Sequence, residues 1–299
     1  MTTRTYTKAP SGVPLYLKAV LPALPLVGSL PGIRHAQGKV PDLTLERKNV
    51  ETQPDHLDAY NEVCGFARGD TLPGTYPHMS AFGLHMALMT DTAFPFAPMG
   101  LVHLRNSITQ HRPIGIDEKF DVSVHAADLR PHPKGKLVDL ITSVSIDGEP
   151  VWDEVTTLFS RGKPAQTGAT PSGAEKLAPL AGVDAPDGVV HWRLAANLGR
   201  RYGAVSGDLN PIHLYPLTAK AFGFPSNIAH GMWTKAHCLA ALQNKLSDAY
   251  TVHVEFKKPI LLPNTTIFGS EPTVDGFLFG VKGSKKPVTH LTGRIITTK

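Results

Sequence analysis

The sequence predicts an α+β protein built from two tandem repeats, each a buried helix set against a run of antiparallel strands. Three observations carry that expectation. An apolar helical stretch is followed by several strand-like stretches, and the plan occurs twice, with helices at His78 to Thr90 and His230 to Leu246. The two halves align residue by residue. Between them, residues 161–188 are rich in Pro, Gly, Ala and Ser and lack periodicity, as a linker does. The expected division is an N-terminal extension (1–40), an N-terminal repeat (41–160), the linker (161–188) and a C-terminal repeat (189–299).

Residues 14–33 are apolar, but Pro22, Pro25 and Pro31 break any spanning helix and Lys18 interrupts the run. The extension is therefore expected to pack its Leu and Val side chains across the first repeat, with no membrane span. Residues 42–48 (DLTLERK) alternate like a half-buried strand, and 55–65 read as a helix stopped by Gly65. Strand patterns begin at Leu101. Lys119 to Leu129 alternates, and Leu137 to Arg161 reads as two strands around Asp147-Gly148, a hairpin dipeptide. In the second half, Val189 to Leu194 is strand-like and Asn197 to Val205 a short helix. Strands resume at Val252 to Phe256, a turn is expected at Asp275-Gly276, and His290 to Thr298 closes the chain.

The duplication is specific. Tyr60-x-x-Val63-Cys64-Gly65 parallels Tyr202-x-x-Val205-Ser206-Gly207 at an offset of 142, and Pro73, His78 and His85 parallel Pro225, His230 and His237 at 152. The first copy therefore lacks ten residues between Gly65 and Pro73. Those ten include Asn210-Pro211-Ile212-His213, and Phe66 stands where the second copy has Asp208. Only the second half carries acid–base groups there.

Asp208 and His213 are proton-transfer side chains. Their spacing of five would set them on different faces of one regular helix. Pro211 lacks an N–H and drives Asn210 toward an extended conformation, so the chain must bend there and can aim both side chains at one small volume. The stretch Y-x-x-V-S-G-D-x-N-P-I-H-x5-A, from Tyr202 to Ala219, resembles the hydratase-2 motif of the MaoC-like dehydratases, which are hotdog-fold enzymes. The whole chain is similar to the actinobacterial two-hotdog 3-hydroxyacyl-thioester dehydratases. The resemblance implies a double hotdog, with each sheet wrapped around its central helix. It also implies a hydro-lyase that adds water to trans-2-enoyl thioesters, or removes it from (3R)-3-hydroxyacyl thioesters, in fatty-acid metabolism.

Such chemistry requires a water held and deprotonated at Cβ, a proton delivered to Cα, and stabilisation of charge on the thioester oxygen. Asp208 and His213 can share the first two tasks, and the sequence leaves open which is base and which acid. Asn210 can orient the water or brace Asp208. Gly231 opens the second apolar helix, where N–H groups lack intrahelical partners and the dipole favours negative charge. With no side chain in the way it is the expected oxyanion donor, a role the resemblance also assigns to it. Substrate contacts are expected from Ser206, His230 and Phe256 around these groups, and from His78, which matches His230 in the first copy. Lys257, Lys258 and Arg112 are placed to meet carrier phosphates, with Arg200, Arg201, Lys285 and Lys286 as further basic candidates. The first repeat, emptied of reactive groups, has room for an acyl tail against Phe66, Tyr76, Met79, Phe82 and Met86.

The net charge of +5 suits an anionic partner such as coenzyme A or an acidic acyl-carrier protein. No basic run is interleaved with aromatic residues, so nucleic acid is not an expected partner. Two cysteines, Cys64 and Cys238, form no framework and suggest reduced thiols in the cytoplasm. His78/His85 and His230/His237 are each seven apart, yet no acid or cysteine completes a ligand set in sequence, so no metal is expected. No cofactor is expected beyond the carrier that enters with the substrate. Two alternatives remain open, an acyl-thioesterase and a catalytically silent acyl-binding module. Pairing of two such pseudodimers is compatible with the fold.

Overall fold

The structure is a computed structural model and describes residues 2–10, 15, 19, 39–162, 180 and 182–297. The expected packing of the apolar extension, and the linker residues 163–179, lie outside the described residues. In chain order the elements of the first half are β1 (Thr2–Tyr6), β2 (Leu43–Val50), α1 (Pro54–Cys64), α2 (Pro77–Met89), β3 (Val102–Gln110), β4 (Phe120–His132), β5 (Gly135–Ile146) and β6 (Glu149–Arg161). The second half follows with β7 (Val190–Leu194), α3 (Leu198–Ser206), α4 (Pro211–Leu214), α5 (Pro216–Ala221) and α6 (Gly231–Ala241). A 3-10 turn at Gln243–Lys245 then leads to β8 (Tyr250–Phe256), β9 (Asn264–Thr273), β10 (Gly276–Gly283) and β11 (Thr289–Thr297). The α+β double hotdog is the architecture found.

Two compact units gather these segments. The first comprises Met1–Glu51, Ser80–Asn106 and Lys119–Ala178. Its strands run in the order β1-β2-β4-β5-β6, followed by the first half of β3. Along β4, Phe120, Val122, Val124 and Ala126 are buried at every second position, the period-two face of a strand covered on one side. The β5–β6 hairpin turns at Asp147 (φ 52°) and Gly148 (φ 86°), the paired positive φ that a two-residue hairpin of this hand demands. The body of α2 carries Ala81, Leu84 and Leu88 into the core, and His85 is satisfied there by Thr142 Oγ1 at 2.7 Å.

β1 was not legible in the sequence. It pairs parallel with β2, Thr2 against Leu43 through Tyr6 against Arg47, but its Thr, Arg and Tyr side chains are largely exposed and give no alternation to read.

The second unit comprises Thr52–Met79, Ser107–Glu118 and Pro179–Lys299. From the second half of β3 its strand order is β8-β11-β10-β9-β7, with β8, β11, β10, β9 and β7 paired antiparallel. Helix α6 is buried through Trp233, Ala236, Cys238 and Leu239, and Val252, Val254, Phe279, Leu291 and Ile295 complete the core. The helix is shorter than the predicted His230 to Leu246. After Ala241 the chain tightens into the 3-10 turn, where Gln243 Oε1 accepts the Ala67 N–H at 2.9 Å.

The Y-x-x-V-x-G duplication appears as two copies of one helix ending. Gly65 (φ 86°) and Gly207 (φ 74°) both adopt the left-handed conformation and return their N–H to the carbonyl four residues back, of Asn61 and Gly203. Tyr60 and Tyr202 meet with ring centroids 6.5 Å apart. Among the described residues no helix is long and apolar enough to cross a membrane.

Candidate active site

The site is built on the short segment that leaves α3. Gly207 ends the helix, and three side chain–backbone hydrogen bonds then fix the turn. Ser206 Oγ accepts from the Asp208 N–H (3.1 Å), Asp208 Oδ1 from the Asn210 N–H (3.1 Å), and Asn210 Oδ1 from the Ile212 N–H (3.3 Å). The last makes Asn210 the N-cap of α4, with Pro211 at the first helical position, where a missing N–H costs nothing. Asn210 holds ψ 125°, the extended value expected before proline. Its side-chain oxygen therefore caps a helix, and its bracing of Asp208 runs through its backbone N–H.

One turn of α4 brings His213 inward. Its Nδ1 lies 2.8 Å from the Ile228 carbonyl oxygen, which can only accept, so Nδ1 carries the proton. Burial pushes the imidazole pKa down, against an upward pull from Asp208 and the Ile228 bond. A neutral ring protonated at Nδ1 presents its lone pair at Nε2.

His230 lies beneath the pair. It is buried, its ring stacks on His213 at 3.7 Å between centroids, and Nε2 sits 3.1 Å from the Asp208 carbonyl and 3.7 Å from the Asp208 carboxylate. Burial first, then the neighbouring His213, lowers its pKa to about 3, although Asp208 pulls the other way. His230 is thus a neutral donor toward Asp208. One ligating atom from each of Asp208, His213 and His230 lies within 4.8 Å of the others. Two polar atoms at that separation can hold one water between them at ordinary hydrogen-bond lengths, about 2.8 Å each.

Gly231 follows directly as the first residue of α6, so its amide sits beside the ring that touches both Asp208 and His213. A β-carbon there would lie 3.0–3.2 Å from the Phe256 ring, a crowded contact that glycine avoids. The turn is held from outside as well. Asn227 Nδ2 donates to the carbonyls of His213 (3.3 Å) and Ala196 (3.1 Å), and Gly199 lets the His213 carbonyl rest on α3. These two supports were not read from the sequence, because neither the S-N pair before Ile228 nor a helix glycine announces a partner far along the chain.

The structure thus brings together Ser206, Asp208, Asn210, His213, His230, Gly231 and Phe256. The remaining expected residues make contacts of their own. His78 is buried in the first turn of α2. Arg112 makes a two-pronged ion pair with Glu118, at 2.9 Å on each arm. Lys257 pairs with Glu255, and the Lys258 carbonyl accepts from His290 Nδ1. Cys64 and Cys238 are buried, and burial pushes both thiols up, so neither presents a thiolate.

Folding also supplies an acid for two histidines that sequence spacing did not reveal, since Asp208, His213 and His230 converge in two-histidine, one-carboxylate fashion. With its proton on Nε2, His230 keeps only Nδ1 as a ligating atom.

A MaoC like domain matches residues 186–276, the span that contains this site. The chain is 37% identical over 289 residues to 3-hydroxyacyl-thioester dehydratase X of Mycobacterium tuberculosis, covering 96% of this chain and 98% of that relative. The crystal structure of HtdX of M. tuberculosis superposes with a TM-score of 0.74 at 36% identity, over 85% of this chain and 100% of that one. A MaoC-like dehydratase from Phytophthora capsici shares the fold (TM-score 0.68, 19% identity, 87% of this chain and 96% of that one). On sequence and fold, the chain belongs to the MaoC-like 3-hydroxyacyl-thioester dehydratases.

Proposed function

We propose that this chain adds water reversibly to trans-2-enoyl thioesters, forming (3R)-3-hydroxyacyl thioesters, and that it does so in cytoplasmic fatty-acid metabolism. The observation that carries the reading is the Asp208–His213 pair, with ligating atoms within 4.8 Å and the His213 lone pair left free by the Nδ1–Ile228 bond.

A water between the two donates one proton to the Asp208 carboxylate and the other to His213 Nε2. Its oxygen lone pair then faces the substrate Cβ. Attack forms the C–O bond at Cβ as the water gives up one proton to the pair. The Cα=Cβ electrons move toward the thioester carbonyl, and the Gly231 N–H at the tip of α6 stabilises the oxygen that gains charge. One such donor is worth about 2.7–4 kcal/mol in the transition state. The pair then returns the proton to Cα, so the two residues end as they began. His230, neutral and buried, holds the Asp208 backbone through its carbonyl and backs the His213 ring. In this reading the N-terminal repeat, without its own Asp/His turn, accommodates the acyl chain.

The test is turnover of trans-2-enoyl-CoA by Asp208→Asn and His213→Ala. Each positioned acid or base contributes about 10²–10⁴ in rate, so each variant should lose at least ~10²-fold in kcat. Wild-type rates in both variants would remove the assignment. Release of free thiol from acyl-CoA would show hydrolysis instead.

A further inference from the structure

We propose that His56 is a positioning residue for the reaction, one that holds the end of α3 from which the Asp208 turn hangs, an inference that rests on the hydratase reading above. His56 lies in the first turn of α1, and its Nε2 is 2.7 Å from the Val205 carbonyl oxygen, 149 residues along the chain. A carbonyl can only accept, so Nε2 carries the proton. The Tyr76 hydroxyl lies 2.8 Å from Nδ1, which takes its O–H. Both ring nitrogens are thus engaged, one by the anchor and one by the carbonyl it holds. The anchor is itself packed. Buried Tyr76 meets His56 and Tyr60 edge-on, at 5.6 and 5.2 Å between centroids, and Tyr60 in turn meets Tyr202 of α3.

The carbonyl that His56 holds is one a helix end leaves open. The last carbonyls of a helix have no intrahelical N–H. Val205 is the penultimate residue of α3, and the Leu209 N–H that would serve it in a longer helix turns to the Gly207 carbonyl instead (3.1 Å). The Asp208 N–H goes to Ser206 Oγ (3.1 Å). The His56 N–H takes that place, at the end of α3 where the dipole favours a donor. From Ser206 onward the turn keeps its shape through its own short bonds, but its position follows the end of the helix. His213 is tied separately to Ile228 and Asn227, and Gly231 belongs to α6. Drift at the end of α3 therefore moves Asp208 against both, and a misplacement of ~1 Å can cost about 10²-fold in rate.

The duplication gives the same bond a counterpart. Val63 holds in α1 the place of Val205 in α3, and its carbonyl accepts from Trp233 Nε1 at 2.8 Å. The neighbouring Cys64 carbonyl accepts from His237 Nδ1 at 2.7 Å. In both copies an aromatic ring N–H from far along the chain closes the end of the Y-x-x-V helix. Gly65-Phe66 follows α1 and carries no acid–base group, whereas Gly207-Asp208 follows α3. One bond secures a helix end, and its counterpart also places a carboxylate.

The test compares full-length wild type with His56→Gln, His56→Asn and His56→Phe on trans-2-enoyl-CoA. A Gln amide nitrogen reaches the place of Nε2, an Asn amide only that of Nδ1, and Phe keeps a ring without a donor. The expected result is a kcat at least ~10-fold lower in the Asn and Phe variants and within about threefold of wild type in Gln, with KM within about twofold throughout. His237→Phe, which removes the bond to Cys64, should lower the melting temperature and keep kcat. Equal kcat in the Gln and Asn variants, a rise in KM with kcat kept, or an equal fall of kcat in His237→Phe would overturn the proposal. If wild type turns over no enoyl thioester, the hydratase reading fails, and hydrogen exchange over residues 206–213 decides the placement. Faster exchange in the Asn than in the Gln variant supports it, and equal exchange removes it.

Discussion

Gly199→Ala tests the placement of His213 without touching a reacting group. A β-carbon on Gly199 would lie 2.0 Å from the His213 carbonyl oxygen, whereas real contacts do not fall below 3.0 Å. One side must retreat by at least 1.0 Å. It should be α4, a single turn of four residues, because α3 is anchored by buried Leu198, Tyr202 and Ser206. A misplacement of ~1 Å at a reacting group can cost about 10²-fold in rate, while overpacking costs about 1–3 kcal/mol of stability. The expected variant is folded by circular dichroism, melts at a lower temperature, and loses about 10²-fold in kcat for trans-2-enoyl-CoA, followed by loss of enoyl-thioester absorbance. Gly203→Ala is the control. Its β-carbon would meet the Asp208 carbonyl at 2.9 Å, so the backbone must give by about half an ångström to reach an ordinary contact, and kcat should fall by clearly less than in Gly199→Ala. A folded Gly199→Ala enzyme with wild-type kcat would refute the argument that the α4 turn sets the reacting geometry.

Gly231→Ala places a β-carbon 3.0–3.2 Å from the Phe256 ring and crowds the approach to the amide, so kcat should fall by up to about 10²-fold with little loss of fold. Asn227→Ala leaves the buried His213 carbonyl without this donor and frees the Ala196 carbonyl, and should cost ~1–3 kcal/mol in denaturant melts and lower kcat. Stability should depend on pH in a defined direction. His230 titrates near 3 when folded but near 6.5 when free, so between those values the unfolded chain binds the extra proton. Stability is therefore full above about pH 6.5 and is lost as pH falls toward 3, by up to ~5 kcal/mol, and His230→Gln should flatten that slope. His213 is shifted in the same direction, so the acid limb of the kcat/KM profile should have its midpoint below 6.5.

The polar turn was legible because its residues act locally. Gly207 ends a helix, Pro211 begins another, and Asp208 and Asn210 bond to N–H groups two residues on, all within reach of a motif. The hairpin at Asp147-Gly148 was legible for the same reason. What the sequence could not reveal is set by packing across distance. His230 was expected to meet substrate, but its stacking on His213 and its bond to Asp208 depend on how α6 docks. The Ile228 carbonyl that fixes the His213 tautomer is fifteen residues away and carries no side-chain signal. Helix α5 was hidden because it spans only six residues and buries Ala219 alone, too short for an apolar period to show.

The most direct measurement is the product formed from trans-2-enoyl-CoA in ¹⁸O-labelled water, resolved by chiral chromatography and mass spectrometry, for wild type and Asp208→Asn. The account predicts (3R)-3-hydroxyacyl-CoA labelled at C3 from the wild type and almost none from the variant. Free coenzyme A as the product, the (3S) isomer, or equal yields from the two proteins would contradict it.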